Sequence, residues 1–259
     1  MTLERLTELY HSSNAIGPIL NVHEESAQCY NESIYTVMPY WGNYYAFINS
    51  RYKEAYQIRS GNGWRLDVHD LTLSPSGTAL LVINGVFVVN QTTFEAPPEV
   101  EFIPDAGFQD IEVQTGEVLF EWRASDHYSF EEYYHFQPPG AGRCIEKDDL
   151  GNYLISCRMM SSIAYIDGQT GAAIWKLGGK ANMFKDLSGG AATDFNGQYH
   201  ARFHENGLIV SIFDNGNCPG RPVTGPTRGL TLVLDTEKIP VQLQHEYIGP
   251  RQGIIQQGL

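Results

Sequence analysis

Short apolar runs closed by glycine-centred polar turns recur along this chain, a pattern that predicts strands rather than helices. Ile111–Trp122 and Tyr165–Gly179 share one layout: a strand, a Thr-Gly turn, and a second strand carrying a tryptophan. Thr115-Gly116 precedes Thr170-Gly171 by 55 residues. A second pattern puts a Gly turn directly before an apolar run, at Ser76-Gly77 before Thr78–Asn84, Leu150-Gly151 before Asn152–Ser156, and Asn206-Gly207 before Leu208–Ser211. These read as the buried inner strands of three four-stranded units. Recurrence at this length predicts an all-β fold, a β-propeller with about four to five recognisable blades. Unrelated β-hairpins share the Gly-then-apolar pattern and are the alternative. At about 40 to 50 residues per blade a closed ring needs more chain, so the ring is either small or an incomplete six-bladed one with an exposed strand edge.

In chain order, residues 1–30 form a poorly determined N-terminal segment, in which residues 1–12 read as a short amphipathic helix or a frayed end. Residues 31–259 read as a single propeller domain. Strands are expected at Ile34–Met38, Tyr44–Ile48 and Ala55–Ile58, and Trp64–Asn90 supplies the next ones. Glu95–Gly107, with Pro97, Pro98 and Pro104, reads as a connection between blades. Asp126–Cys144 reads as an irregular insertion, and the Gly-rich Gly178–Gly197 as a loop long enough to be functional. Tyr199–Phe203, Leu208–Phe213, Leu230–Leu234 and Val241–Tyr247 make a last blade.

Composition narrows the chemistry. A formal net charge of −13 points away from nucleic acid as a partner, while leaving room for a small anionic substrate held by local cations. No apolar run is long enough to span a membrane, and no signal-peptide order is visible, so the chain as written reads as cytoplasmic. Cys29, Cys144, Cys157 and Cys218 lack metal-ligand spacing, and their even count leaves disulfides open.

Several ordered stretches then become specific: Leu119–His127, the Asp148-Asp149-Leu150-Gly151-Asn152 strand entry, Ile174–Gly179 and Phe213-Asp214-Asn215. From about Tyr52 to Tyr247 the chain resembles the arylsulfotransferase (ASST) family in its fungal branch, shortened at its start. The family fold is a propeller, and its members are exported. The resemblance implies transfer of a sulfuryl group from an aryl sulfate to a phenol through a sulfohistidine, with a small phenolic or aryl sulfate substrate and no metal or cofactor.

Val68-His69-Asp70 resembles the family's first histidine motif, and Arg158 its sulfuryl-holding arginine. The nucleophile motif, Gln-His-x-Ala, reads here Gln198-Tyr199-His200-Ala201. His200 is the candidate nucleophile and needs a bulge to reach the site, because neighbouring strand residues face opposite ways. The family's His-x-Asn motif before the Asp148 stretch is missing: Gly140-Ala141-Gly142-Arg143 runs straight into Cys144-Ile145-Glu146, as if that segment were deleted. Tyr134-His135-Phe136-Gln137 echoes it faintly, so Tyr199, Tyr134 and His135 are taken as substrate-binding candidates. Two other readings stay open: a catalytically inactive or truncated propeller serving as a binding module, and a quinone-cofactor propeller, since Asp167–Trp175 fits half of that hairpin pattern.

Overall fold

The computed structural model describes residues 44–48, 54–74, 77–88, 102–134, 142–204, 207–218 and 220–249. The strands run β1 (Tyr45–Ile48), β2 (Glu54–Ile58), β3 (Arg65–Leu73), β4 (Thr78–Val88), β5 (Phe102–Glu112), β6 (Val118–Arg123), β7 (Gly142–Lys147) and β8 (Tyr153–Cys157). They continue with β9 (Ser162–Ile166), β10 (Ala173–Gly178), β11 (Lys185–Asp186), β12 (Tyr199–His204), β13 (Ile209–Asp214), β14 (Arg228–Leu234) and β15 (Pro240–Ile248). Three 3-10 turns cover Ala124–Asp126, Phe130–Glu132 and Arg158–Met160, and the described residues contain no α-helix. The strands form a β1-β2 pair, two four-stranded sheets in the orders β3-β4-β5-β6 and β10-β9-β8-β7, and a five-stranded sheet β11-β15-β14-β13-β12. The fold is all-β, built of blade-like antiparallel meanders, as the repeats predict. The segments 1–12 and 34–38 lie outside the described residues.

Residues 1–85 with 106–122 form one compact unit, and residues 86–105 with 123–259 the other. In the first, Leu66, Leu71, Ala79, Leu81, Ile111 and Val113 make a core with Tyr45 and Ile58. Phe108 stacks on Trp122 at 5.9 Å, which accounts for the tryptophan closing the first Thr-Gly hairpin. In the second unit, Leu154, Ile163, Trp175 and Leu177 of the β7–β10 sheet pack with Val210, Ile212, Leu230, Leu232 and Val241 of the five-stranded sheet. Trp175 meets Phe184 edge-on at 5.4 Å and Tyr165 at 5.5 Å. Hairpin tryptophans are thus core residues, and burying each rings-deep is worth several kcal/mol.

The Thr-Gly hairpins share one hydrogen-bond pattern. Glu112 N–H donates to Glu117 O and Gly116 N–H to Glu112 O; Asp167 N–H donates to Ala172 O and Gly171 N–H to Asp167 O. Gly116 and Gly171 sit at φ 73° and 75°, where a Cβ is disfavoured, so the turn demands glycine. A third copy escapes the sequence pattern. Asp235 N–H donates to Pro240 O, and Ile239 N–H to Asp235 O, with Ile239 at φ 65° where the others have glycine. A β-branched residue there is strained, and its side chain packs against the second unit's core as compensation.

Three segments differ from the sequence expectation. β5 begins at Phe102, inside the stretch read as a connection. Residues 105–110 are buried throughout, and polar Asp105, Gln109 and Asp110 among them break the apolar signal. β7 begins at Gly142, two residues before Cys144, where the expected insertion would end. The Gly178–Gly197 loop lends β11, whose Lys185 and Asp186 run parallel to Pro240 and Val241.

Candidate functional site

Three first strands carry the same defect. Leu71, Ile145 and Arg202 pair with Leu81, Ile155 and Ser211, each four residues beyond its turn glycine (Gly77, Gly151, Gly207). Leu66, Gly142 and Tyr199 pair with Ile83, Cys157 and Phe213, each six residues beyond. Between those two pairs the second strand advances by two residues, whereas β7 and β12 advance by three and β3 by five. Each first strand is therefore bulged at one register level, and bulges re-aim side chains. Counted from the common register, His69 of β3 and His200 of β12 occupy equivalent places, each two residues before its sheet's Leu71 or Arg202.

The bulge in β12 is local and sharp. His200 and Ala201 together oppose Ile212, and His200 takes the left-handed conformation at φ 55°. Ala201 turns into the core while His200 is exposed. By sequence spacing Tyr199 falls where the family has histidine; by strand register His200 matches His69. The segment entering the bulge is anchored on both sides. Gln198 Nε2 donates to Ser156 Oγ at 3.1 Å and to Ser162 O at 2.7 Å, and Asn215 Nδ2 donates to Gly197 O at 2.6 Å. Ser161 Oγ donates to Asn196 Oδ1 at 3.1 Å. Buried Asp214 accepts from Asn196 N–H, Gly216 N–H and Arg228 Nε, each at 2.8 Å.

Arg158 lies in the same unit. It leaves the strand read from sequence after Cys157 and starts a 3-10 turn that ends on Ser161 at φ 47°. Gly179 permits this turn, since a Cβ there would stand 2.3 Å from Met160 O. Arg158 is only 7 % exposed, and its Nε has no hydrogen-bond partner among the described residues. Burial lowers its guanidinium pKa below the usual arginine value, and among the described residues the opposing influence is the neighbouring Cys218 thiol rather than a carboxylate. Its guanidinium carbon lies 5.4 Å from the centre of the Tyr199 ring. A buried cation without a carboxylate is costly until an anion joins it.

Tyr134 reaches this turn through its N–H, which donates to Met159 O at 3.1 Å. Its ring carries two cations, Lys180 Nζ at 4.9 Å and Arg221 at 5.1 Å. Lys180 also donates to Glu131 O and Tyr133 O at 2.7 and 2.8 Å, pinning the loop before Tyr134. Cys157 and Cys218 are buried, and burial pushes the Cys157 thiol up to about 12, so it stays protonated near neutrality. The structure thus brings Arg158, Tyr199, His200 and Tyr134 into one unit. His69 lies in β3 of the other unit, where its side chain is outside the described residues, as is all of His135.

Sequence reasoning singled out the bulge as a condition but missed the scaffold that makes it. Gln198, Asp214 and Asn215 stood inside recognisable motifs; their work is to hold residues 196–198. No helix among the described residues is long and apolar enough to cross a membrane.

Comparison with known proteins places these residues in context. The family described as Arylsulfotransferase (ASST) matches residues 41–255. No curated protein matches. Among solved structures, the chain is similar to a protein of unknown function from Bacteroides caccae (14% identity, 81% of this chain and 56% of that one, TM-score 0.47). It is also similar to a hypothetical selenium-binding protein from Sulfolobus tokodaii (12% identity, 80% of this chain and 47% of that one, TM-score 0.41). The chain therefore spans about half the length of these structures.

Proposed function

Because the chain belongs to the arylsulfotransferase (ASST) family, we propose that it transfers a sulfuryl group from an aryl sulfate to a phenol, with His200 as the nucleophile. The observation that carries this reading is the β12 bulge, which gives His200 the register place that His69 holds in β3. An unbulged strand would send His200 to the face opposite the family's histidine.

In the first step the neutral imidazole nitrogen of His200 attacks sulfur, the sulfur–oxygen bond to the aryl group breaks, and the phenolate leaves with the bonding pair and takes up a proton. In the second, an acceptor phenol oxygen attacks the same sulfur, the sulfur–nitrogen bond breaks, and the phenol proton is released as imidazole is regenerated. Arg158 is suited to the sulfuryl oxygens, because its buried charge lacks a carboxylate partner among the described residues and its guanidinium can donate to two oxygens at once. Tyr199, half-buried beneath that guanidinium, offers an aromatic wall for the aryl group. Tyr134 is proposed as a more distant aromatic contact; its ring already carries Lys180 and Arg221. His69 enters on its family motif and its matching bulge, and its role is read from its own substitution.

The test is initial-rate transfer from a chromogenic aryl sulfate to phenol. Two-substrate kinetics should be ping-pong, and Arg158→Ala should raise KM for the donor at least tenfold while Arg158→Lys falls between. Sequential kinetics would contradict the covalent step. No transfer by folded protein would favour the second reading, an inactive propeller, which Tyr199 at the family histidine's sequence position and the missing His-x-Asn motif support.

A further inference from the structure

In the Phe213-Asp214-Asn215 stretch, Asp214 and Asn215 hold residues 196–198, and Phe213 has no part in that work. Ile212 and Asp214 on either side of it are buried, so its ring lies on the opposite face of β13, 43 % exposed. There Phe213 pairs with Gly229 of β14, and Gly229 pairs with Tyr247 of β15, which is 61 % exposed. The register is unbroken around this rung, from Ile209 to Asp214 along β13 and from His245 to Ile248 along β15. A Cβ on Gly229 would stand 3.6 Å from Tyr247 Cβ and 3.7 Å from its Cδ2, so the tyrosine ring rises beside the glycine on the same face.

Two exposed aromatic side chains thus flank a residue that has none. Side chains stand roughly perpendicular to a sheet whose strands lie about 4.8 Å apart, so a ring centred over Gly229 falls within the roughly 4.5–7 Å at which aromatic rings pair, on both sides at once. The next rung on this face is polar, with Ser211 and His245 on either side of Thr231. It lies about 7 Å along the strands, within reach of a hydroxyl carried by such a ring. The His245 and Tyr247 rings are 6.0 Å apart, and Ser211 Oγ lies 2.8 Å from His204 Nε2. Of roughly 150–250 Å² each, Phe213 and Tyr247 together leave about 200 Å² exposed. A stable protein interface takes about 800 Å² from each partner, so this patch suits a flat small molecule.

We infer that the face of the five-stranded sheet turned away from its core carries a binding site for a flat phenol, held between Phe213 and Tyr247 over Gly229 with its hydroxyl toward Thr231 and His245. Rings on both sides select a planar ligand over a saturated one, and the polar rung selects a hydroxylated edge. Phe213 also pairs with Tyr199, so the same rung continues to β12 beside His200. The site therefore gathers acceptor-class molecules on the sheet that carries the proposed nucleophile. That last link rests on the transfer reading; binding of the phenol does not.

Fluorescence titration of the full chain with 2-naphthol tests it, with decahydro-2-naphthol as the saturated competitor and thermal unfolding to establish that each variant is folded. Gly229 lies in regular strand backbone and an added Cβ meets Tyr247 at an ordinary contact distance, so Gly229→Val should keep or raise Tm while filling the gap. The wild type should bind, Gly229→Val should weaken binding roughly 10-fold or more, and Phe213→Ala and Tyr247→Ala roughly 2- to 12-fold each, the worth of one aromatic pair. The Gly229-dependent binding should persist in Tyr199→Ala, and the saturated alcohol should compete poorly. Binding that survives Gly229→Val but is lost in Tyr199→Ala would put the phenol at the transfer site alone and overturn the sheet-face site. Equal competition by decahydro-2-naphthol, or no binding to the folded wild type, would overturn it as well. Gly229-dependent binding by folded protein that transfers no sulfuryl group would uphold the phenol site and refute the transferase reading. Transfer to phenol, with 2-naphthol affinity unchanged in Gly229→Val, would do the reverse.

Discussion

His200 can be replaced in two ways that differ only in backbone cost, and the difference reads the bulge directly. At φ 55° a residue with a Cβ is strained by about 1–2 kcal/mol relative to glycine. Glycine in turn loses about 0.4–1 kcal/mol through its freer unfolded chain. Because His200 is exposed, removing its ring forfeits little packing. His200→Gly should therefore be more stable than His200→Ala by about 1 kcal/mol, or roughly 2–4 °C in Tm for a chain of this size. Differential scanning fluorimetry of both variants beside the wild type makes the comparison, and both should lose sulfuryl transfer. If His200→Ala equals or exceeds His200→Gly in stability, the left-handed bulge is wrong, and with it the register argument for His200.

Further expectations concern the scaffold. Gly171→Ala should destabilise by about 1–2 kcal/mol, since the hairpin holds φ 75°, and urea unfolding would register it; an unchanged midpoint contradicts the turn geometry. Asp214→Ala should cost about 1–3 kcal/mol, because it leaves the buried N–H groups of Asn196 and Gly216 without their acceptor, while Arg228 keeps Glu246. The same variant should impair transfer more than the stability loss explains, by releasing residues 196–198 ahead of His200. Glu146 tests pH dependence. Burial raises its pKa more than the Phe203 N–H and nearby His204 lower it, so its contribution is fully favourable below the unfolded value of about 4.3 and is lost as pH rises through the folded value. Glu146→Gln should accordingly gain stability relative to wild type between pH 4 and pH 7, and a gap moving the other way would contradict the burial.

The strands and their all-β class were legible because this sequence announces its turns. Gly116 and Gly171 are required by positive φ, and Trp122 and Trp175 by the cores they fill, so spacing alone located both hairpins. The third hairpin was invisible because Ile239 carries a strained φ without a glycine to mark it. β5 was obscured by buried Asp105, Gln109 and Asp110; Asp105 is satisfied by Ser125, and Gln109 by Gly61 and Glu121, tertiary partners that no local pattern reveals. The site was legible only in part. Arg158 and His200 could be named from motif positions, but whether His200 shares a register place with His69 depends on a one-residue excess in β12, and a bulge leaves no signature in the sequence.

The central claim is that a sulfuryl group rests on His200. Purified protein incubated with a chromogenic aryl sulfate, then examined by intact mass and peptide mapping under conditions that preserve the nitrogen–sulfur bond, tests it most directly. One added sulfuryl group per chain is expected on the peptide containing His200, absent from His200→Gly and discharged by phenol. An adduct on another residue, or none on folded protein that has released the aryl product, would contradict it.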